Sequence, residues 1–309
     1  MADALASSDE GAIVNAMSVD VEDYFQVSAF DRVVDRKAWD RAESRVCANT
    51  ERLLALFEAS GVHATFFVLG WVAVRFPALV RRIAAGGHEI ASHGFAHRLV
   101  YELAPDEFRE DVRRSKHLLE DIAGAAVHGY RAPSYSVTNR SLWALDVLID
   151  EGYRYDTSIF PIHHDRYGIP GAPRHVHVVT RPHGSIVEAP GSTVRCGRVN
   201  LPIAGGGYFR LLPYWWTRWG INRLNRVERL PAIFYVHPWE IDPGQPRFAV
   251  PLATRLRHYR NLGKTEDRLR QLLEDVRFGT VGRLVEQAHP KTGSHTFPIP
   301  LPRAASAAR

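Results

Sequence analysis

Length, composition and charge indicate an ordinary soluble globular chain of one large domain or two small ones. Its 309 residues are 45% hydrophobic and 24% charged, and the formal net charge is +5. The basic residues are scattered and form no aromatic-basic stripe, so the charge does not indicate a nucleic-acid enzyme. Two cysteines, Cys47 and Cys196, exclude a disulfide scaffold and are typical of a reducing compartment.

Hydrophobic periodicity predicts alternating strands and helices in the first half of the chain. The predicted strands are short apolar or β-branched runs, at 12–19, 64–69, 88–92, 127–132 and 153–156. The predicted helices carry apolar residues on one face, at 50–57, 77–85, 105–122 and 139–149. Short loops between alternating strands and helices indicate parallel strands joined by crossover helices, which is an α/β fold.

The second half is less regular. Residues 160–230 are rich in Pro, Gly, His and Trp without a clean period, and we interpret them as a long functional insertion. A strand is predicted at 232–237, and helices are predicted at 264–276 and 281–287. The tail at 289–309 is predicted to be loose.

The N-terminal residues and the overall hydropathy predict where the protein resides. Residues 1–11 are polar and acidic and lack the basic start and apolar core of a secretory signal, so we expect a disordered leader. No run reaches the roughly 18 apolar residues of a membrane span. We therefore expect a cytoplasmic protein without a transmembrane segment.

Titratable side chains follow five of the predicted strands. The carboxyl ends of parallel strands converge on one face, where sites are built. The strand ends read DVED at 20–23, SHGFAH at 92–97, YRAP at 130–133, YDTS at 155–158 and VHPWE at 236–240. Each group alone is ordinary in a surface loop, but their joint occurrence at strand ends predicts a functional site.

Two histidines in this set have the spacing of metal ligands. His93 and His97 are four residues apart, and with one carboxylate they would make a three-ligand set with an open position, as in catalytic zinc sites. A competing group of possible ligands lies in the insertion: His163, His164, Asp165, His175 and His177. No predicted strand fixes the geometry of that group, and a solvated or substrate-facing loop is the favoured interpretation.

The ordered motifs resemble those of polysaccharide deacetylases of the NodB-homology class, which are carbohydrate esterase family 4-like. Five motifs occur in the expected order across residues 18–239, over two thirds of the chain. The segments 18–25 (SVDVEDYF), 237–243 (HPWEIDP) and 258–262 (HYRNL) resemble the subfamily found with exosortase and exopolysaccharide loci.

The resemblance implies a fold and an activity. The fold is a distorted, incomplete (β/α) barrel, with one catalytic domain over 12–288, an insertion at about 160–230 and a C-terminal extension at about 240–288. The activity is hydrolysis of N-acetyl groups on amino sugars of a polysaccharide or its lipid-linked precursor, in exopolysaccharide biosynthesis.

One position departs from the family pattern, which has two adjacent aspartates, the first a base and the second a metal ligand. Here Val21 follows Asp20, so the third ligand is Glu22 or Asp23. If the strand continues, Glu22 shares a face with Asp20 and is favoured. If the chain turns after Val21, the shorter Asp23 reaches the metal, and we favour Asp23 slightly because strands usually end at such a rim.

The resemblance also implies catalytic roles. Asp20 is the general base, His237 donates a proton to the departing amine, Arg131 holds Asp20 ionised and oriented, and Asp156 holds His237 charged. The cofactor is a divalent metal, with zinc as the first choice and Co, Ni, Fe or Mn as alternatives. The metal polarises the acetyl carbonyl.

Substrate contacts are expected from residues near the strand ends. Pro133, Tyr135 and Trp239 are expected to bind substrate, with a backbone N–H near Tyr135 stabilising the oxyanion. Four tryptophans are candidate sugar-stacking platforms: Trp215, Trp216, Trp219 and Trp239.

The expected partner is an N-acetylated glycan, and no nucleic acid is expected. Association with membrane-bound polysaccharide synthesis machinery at the inner membrane face would reconcile a cytoplasmic location with a glycan substrate. Two alternative functions remain open. One is a metal-dependent C–N hydrolase acting on a small cyclic amide or a formylated sugar lipid, and the other is a non-catalytic carbohydrate-binding relative.

Overall fold

The computed structural model describes residues 13–288. The predicted leader at 1–11, the first residue of the predicted 12–19 strand and the predicted tail at 289–309 lie outside the described residues. The strands of the described part are β1 Asn15–Val21, β2 Thr65–Val68, β3 Glu89–Ser92, β4 Gly129–Tyr130, β5 Tyr155–Asp156, β6 His177–Arg181, β7 Gly184–Glu188, β8 Thr193–Cys196, β9 Val199–Pro202, β10 Ile233–Val236 and β11 Phe278–Gly279.

Helices connect and cover these strands. Within the described residues they are α1 Val46–Ala59, α2 Gly70–Arg75, α3 Pro77–Ala85, α4 Pro105–Ala123, α5 Trp143–Asp150, α6 Gly206–Leu211, α7 Tyr214–Arg223, α8 Leu252–Tyr259, α9 Leu262–Asp275 and α10 Val281–Gln287. Short 3-10 helices follow three of the site-bearing strands, at Tyr24–Gln26, Pro133–Tyr135 and Pro238–Ile241.

The main sheet has nine strands in the order β10-β1-β2-β3-β4-β5-β7-β6, with β11 beside β1. Every pair in it is parallel except β6 and β7, which form an antiparallel hairpin. Strands β8 and β9 form a separate antiparallel pair. The two ends of the order, β10 and β6, are not paired with each other among the described residues. The expected α/β fold with a mostly parallel sheet is confirmed.

The core lies on both sides of β1, whose seven residues are all buried. Helix α4 shows how the sequence produces the packing. Its buried Phe108, Val112 and Leu119 recur at helical spacing, and each such side chain contributes about 1.5–3 kcal/mol on burial. Gly124, at φ 64°, takes the left-handed conformation that ends the helix.

Two regions differ from the prediction. Helix α2 was not predicted, because six residues beginning at a glycine give no helical period. The aperiodic stretch at 160–230 contains regular structure, since β6 and β7 extend the main sheet and α6 and α7 follow β9. No helix in the described part is both long enough and apolar enough to cross a bilayer.

Candidate functional site

The carboxyl ends of β1 and β3 bring together three candidate metal ligands. Glu22 directly follows β1, and His93 and His97 follow β3. Their ligand atoms lie within 4.8 Å of one another, and they are the one such group of three among residues 13–288. All three side chains are buried, and His97 has a positive φ of 50°, an uncommon conformation that is often found at functional sites.

The protonation states fit a metal ion. The Nδ1 of His93 lies 2.7 Å from the Arg131 carbonyl oxygen, a bond that requires Nδ1–H and leaves the Nε2 lone pair for a metal. Burial lowers the pKa of His93 to about 4, so the ring is neutral near pH 7. Burial raises the pKa of Glu22, but the nearby His97 and His237 outweigh it and hold the pKa well below its ordinary value. Neutral imidazole and ionised carboxylate are the forms that bind zinc-type metals.

The preference for Asp23 as the third ligand is wrong. Strand β1 continues to Val21, so Glu22 stays on the face of Asp20 and Asp23 points elsewhere. The Asp23 carboxylate accepts hydrogen bonds from the Ser44 hydroxyl at 2.6 Å and from the backbone N–H groups of residues 24, 45 and 46 at 2.8–3.1 Å. Asp23 therefore holds the first turn of α1, and both of its oxygens are occupied.

Asp20 and Arg131 form a buried ion pair beside the ligands. The Arg131 Nη1 donates to Asp20 Oδ1 at 2.6 Å and to the Ser18 hydroxyl at 2.9 Å. Its Nε and Nη2 donate to the Thr157 hydroxyl at 3.2 and 3.0 Å, and its guanidinium lies 4.1 Å from the centre of the Phe67 ring. Because each guanidinium nitrogen makes a hydrogen bond and the side chain is fully buried, Arg131 fixes the orientation of the Asp20 carboxylate.

His237, after β10, faces the same carboxylates. Its Nε2 lies 3.8 Å from Asp20 Oδ2 and 3.7 Å from Glu22 Oε1, and its Nδ1 lies 3.0 Å from Glu240 Oε2. Burial lowers the pKa of His237, but the charges of Glu240 and Glu22 outweigh it and raise the pKa to about 9. The Arg210 Nε donates to the other Glu240 oxygen at 2.5 Å. His237 is therefore protonated near pH 7.

Asp156 is not the partner of His237, so this expectation is wrong. The Asp156 carboxylate accepts a hydrogen bond from the Ser158 hydroxyl and lies beside Glu188, its neighbour in the register of β5 and β7. Burial raises the pKa of both carboxyls. Glu240 takes the expected role and was missed, although a Glu three residues after His237 is the sequence signal of a side chain that reaches back.

A cavity of about 150 Å³ opens between these groups. It is lined by Asp20, Glu22, Val27, Ser28, His93, His97, Ala132, Ser134, Tyr135, Tyr167, Tyr235, His237 and Trp239. Tyr135 lines the cavity, Pro133 does not, and their binding of substrate stays a prediction. The backbone N–H of Tyr135 itself donates to the Ala132 carbonyl at 3.1 Å, so the expected oxyanion donor near Tyr135 would be a neighbouring N–H.

Trp239 lines the cavity but is only 4% exposed. Its ring stacks on His237 with centroids 5.1 Å apart and on His258 with centroids 4.2 Å apart. Because so little of the ring is accessible, Trp239 does not fit the expected role of a sugar-stacking platform. Its Nε1–H donates to Glu22 Oε1 at 3.0 Å, so the indole instead contacts a candidate metal ligand. Trp215 and Trp219 remain exposed on α7.

The competing histidines of the insertion are held by other contacts. The His164 ring stacks on Tyr167 with centroids 3.9 Å apart, and the Nδ1 of His177 lies 2.9 Å from the His175 carbonyl oxygen. They do not form a second group of three candidate ligands within residues 13–288.

Comparison with protein families divides the chain into two matched segments. Residues 38–155 match the family model described as polysaccharide deacetylase, and residues 157–286 match a domain of unknown function, DUF3473. His93 and His97 lie in the first segment, and His237 lies in the second. The candidate site is therefore assembled from both segments and from β1, which precedes them.

Relatives with assigned names match part of the chain. The Bacillus cereus peptidoglycan-N-acetylglucosamine deacetylase is 34% identical over 120 residues, 35% of this chain and 44% of the relative. The Helicobacter pylori peptidoglycan deacetylase is 30% identical over 114 residues, 37% of each protein. The chitooligosaccharide deacetylase of Bradyrhizobium sp. is 29% identical over 99 residues, 32% of this chain and 43% of the relative. The chain thus spans less than half the length of these curated relatives.

Fold comparison extends over nearly the whole chain. A crystal structure from Mycobacterium smegmatis, provisionally described as a polysaccharide deacetylase, superposes with a TM-score of 0.59 at 19% identity. The match covers 96% of this chain and 98% of that one, which shows a shared fold. Fold and site define an α/β protein with a candidate metal site at its strand ends. Residues 38–155 are similar to polysaccharide deacetylases, both in the family model that they match and in the named relatives.

Proposed function

We propose that this chain is a metal-dependent N-deacetylase that hydrolyses the acetamido group of amino sugars in a polysaccharide or its lipid-linked precursor. The observation that carries the proposal is the group of Glu22, His93 and His97, with ligand atoms within 4.8 Å, beside the ion-paired Asp20 and with His237 Nε2 3.8 Å from Asp20. The names of the matched relatives, which are peptidoglycan and chitooligosaccharide deacetylases, support the same chemistry.

The ligand set favours zinc. Two imidazoles and one carboxylate with an open position are a known arrangement of catalytic zinc, and Co, Ni, Fe or Mn are compatible with the same donors. A divalent metal held there would supply the Lewis acidity that polarises the acetyl carbonyl and stabilises negative charge on its oxygen. The residues of the chain perform the proton transfers.

Asp20 is placed to act as the general base. Arg131 holds one carboxylate oxygen at 2.6 Å, and the other faces the His237 side of the cavity. The Asp20 carboxylate takes a proton from the attacking water as the new C–O bond forms at the acetyl carbon. His237 gives its proton to the nitrogen as the C–N bond breaks, so the products are acetate and a free amine. To complete the cycle, Asp20 releases its proton to solvent and His237 takes one from solvent, and Glu240 stabilises the resulting imidazolium.

The biological setting follows from the motif resemblance. The segments 18–25, 237–243 and 258–262 support a role in exopolysaccharide biosynthesis. We extend the proposal to a cytoplasmic protein that works at the inner membrane face with membrane-bound synthesis machinery, where a lipid-linked or nascent glycan is accessible.

Metal removal and acetate release test the proposal together. The purified protein should contain about one divalent ion per chain and should release acetate from a chitin tetrasaccharide. A chelator should abolish release, and zinc or cobalt should restore it. The variant His93→Ala/His97→Ala should lose the ion. Acetate release by protein shown to hold no metal would contradict the proposal, and so would a metal-loaded protein that releases no acetate from any N-acetylated amino-sugar oligomer.

A further inference from the structure

A second cavity of about 450 Å³ continues the candidate site away from the metal ligands. The two cavities share six lining residues: Val27, Ser28, Ser134, Tyr167, Tyr235 and Trp239. A molecule whose acetamido group lies at the candidate ligands would therefore reach into the larger cavity. Its volume lies within the range of small-molecule sites and fits a neighbouring sugar or substituent.

The permanently charged side chains that line the larger cavity are all arginines. Three arginines line it, Arg166, Arg210 and Arg257, and no Asp or Glu is among its lining residues in the described part of the chain. Arg210 is buried and paired with Glu240, so its charge is offset. Arg166 and Arg257 are exposed and form no ion pair with a carboxylate among residues 13–288. Two guanidinium groups without a direct ion-pair partner in the described part therefore line the cavity, and the nearby Asp165 pairs with His164.

Both arginines line the same cavity as His164 and Tyr167. The His164 ring stacks on Tyr167 with centroids 3.9 Å apart, and its Nδ1 lies 2.9 Å from the Asp165 carboxylate. Tyr167 also lines the metal pocket, so the arginines share a cavity wall with a side chain that borders the candidate ligands.

We propose, on the basis of the proposed deacetylase function, that Arg166 and Arg257 bind an anionic group, a carboxylate or a phosphate, carried by the glycan beside the acetylated amino sugar. Guanidinium groups bind both anions through charge-assisted hydrogen bonds. The aromatic lining from Tyr167 and Tyr208 gives the attached sugar an apolar surface. The substrate is therefore an acidic amino-sugar glycan or an amino sugar linked to phosphate, and a neutral chitin-like chain is a poorer substrate.

The test compares three probes and a matched control. The probes are a neutral chitin tetrasaccharide, a hyaluronan tetrasaccharide with carboxylates, and N-acetylglucosamine-1-phosphate. The variants are Arg166→Gln, Arg257→Gln and their combination. Arg255→Gln is the control, because Arg255 is exposed on the same helix as Arg257 but does not line the cavity. Acetate release gives kcat/KM, and calorimetry gives the dissociation constant independently of turnover.

We expect at least one anionic probe to exceed chitin tetrasaccharide in kcat/KM by about 10-fold or more at low salt. The double variant should lose about 10-fold or more on that probe and less than twofold on chitin, while Arg255→Gln changes neither. Preference for the hyaluronan fragment identifies a carboxylate, and preference for the sugar phosphate identifies a phosphate.

The failures of the two proposals are distinguishable. Equal kcat/KM for all three probes, unaffected by the arginine variants, overturns the anion site and leaves the deacetylase standing. If no probe releases acetate but an anionic probe binds with an affinity that depends on Arg166 and Arg257, the site stands and the deacetylase proposal fails. Calorimetry that shows no arginine-dependent binding of either anionic probe overturns the anion site.

Discussion

Glu22 and Asp23 are adjacent carboxylates with opposite predicted roles, so replacing each should produce a different defect. Glu22→Gln keeps the side-chain shape but removes the charge that faces His97 at 2.6 Å. Outer-shell partners of a metal typically contribute about 10–100-fold in affinity, so loss of a direct ligand should cost at least about 100-fold. The metal-free protein should also lose some stability. Burial raises the pKa of Glu22, but His97 and His237 outweigh burial, and the depressed pKa means that the Glu22 charge stabilises the folded state.

Asp23→Ala should instead destabilise the fold. It leaves the buried N–H groups of Tyr24 and Val46 without their acceptor, at about 1–3 kcal/mol each, and removes the bonds to Ser44 and Arg45 as well. We expect a loss of about 3 kcal/mol, which for a protein of this size lowers the melting temperature by roughly 5 °C.

Two assays on the same samples separate the roles. A competition titration against a chelating indicator gives the metal affinity, and thermal unfolding of the metal-free protein gives its stability. Glu22→Gln should fail mainly in the first assay and Asp23→Ala mainly in the second. The reverse pattern, with metal affinity lost in Asp23→Ala and kept in Glu22→Gln, would refute the ligand assignment.

Two further predictions concern the residues around His237. Burial lowers the pKa of His237, but the charge of Glu240 outweighs burial and the pKa is raised to about 9. Glu240→Gln should therefore move the alkaline limb of the pH–rate profile to lower pH. Asp156→Asn, its control, should leave the limb in place, and a limb unmoved in Glu240→Gln would remove Glu240 from this role. Trp239→Phe keeps an aromatic ring next to His237 and His258 but removes the N–H that donates to Glu22. Metal affinity should therefore fall by about 10-fold. Unchanged affinity in a titration would show that this bond does not orient the ligand.

The sequence predicts those parts of the fold that depend on local pattern. Helix α4 was predicted at 105–122 and ends at Ala123, because apolar spacing and a terminal glycine are both local signals. The strand-end positions of Asp20, His93 and His237 were also predictable, since a parallel sheet collects its carboxyl ends on one face.

The remaining parts depend on single-residue boundaries or on contacts distant in sequence. Whether Glu22 or Asp23 faces the histidines depends on one more residue of β1, and strand ends are the least certain feature of a sequence pattern. From the sequence alone, Asp156 and Glu240 are equally plausible partners of His237. Only packing puts Asp156 beside Glu188 and Glu240 between His237 and Arg210.

The most direct test of the central claim is acetate release and metal content measured on the same preparations of wild type, Asp20→Asn and Asp267→Asn. Asp267, exposed on α9, provides a matched loss of one carboxylate. We predict that all three bind one divalent ion, that wild type and Asp267→Asn release acetate from an N-acetylated amino-sugar oligomer, and that Asp20→Asn is slower by about 10²–10⁴-fold. Asp20→Asn turning over at the wild-type rate with its metal in place would contradict the account.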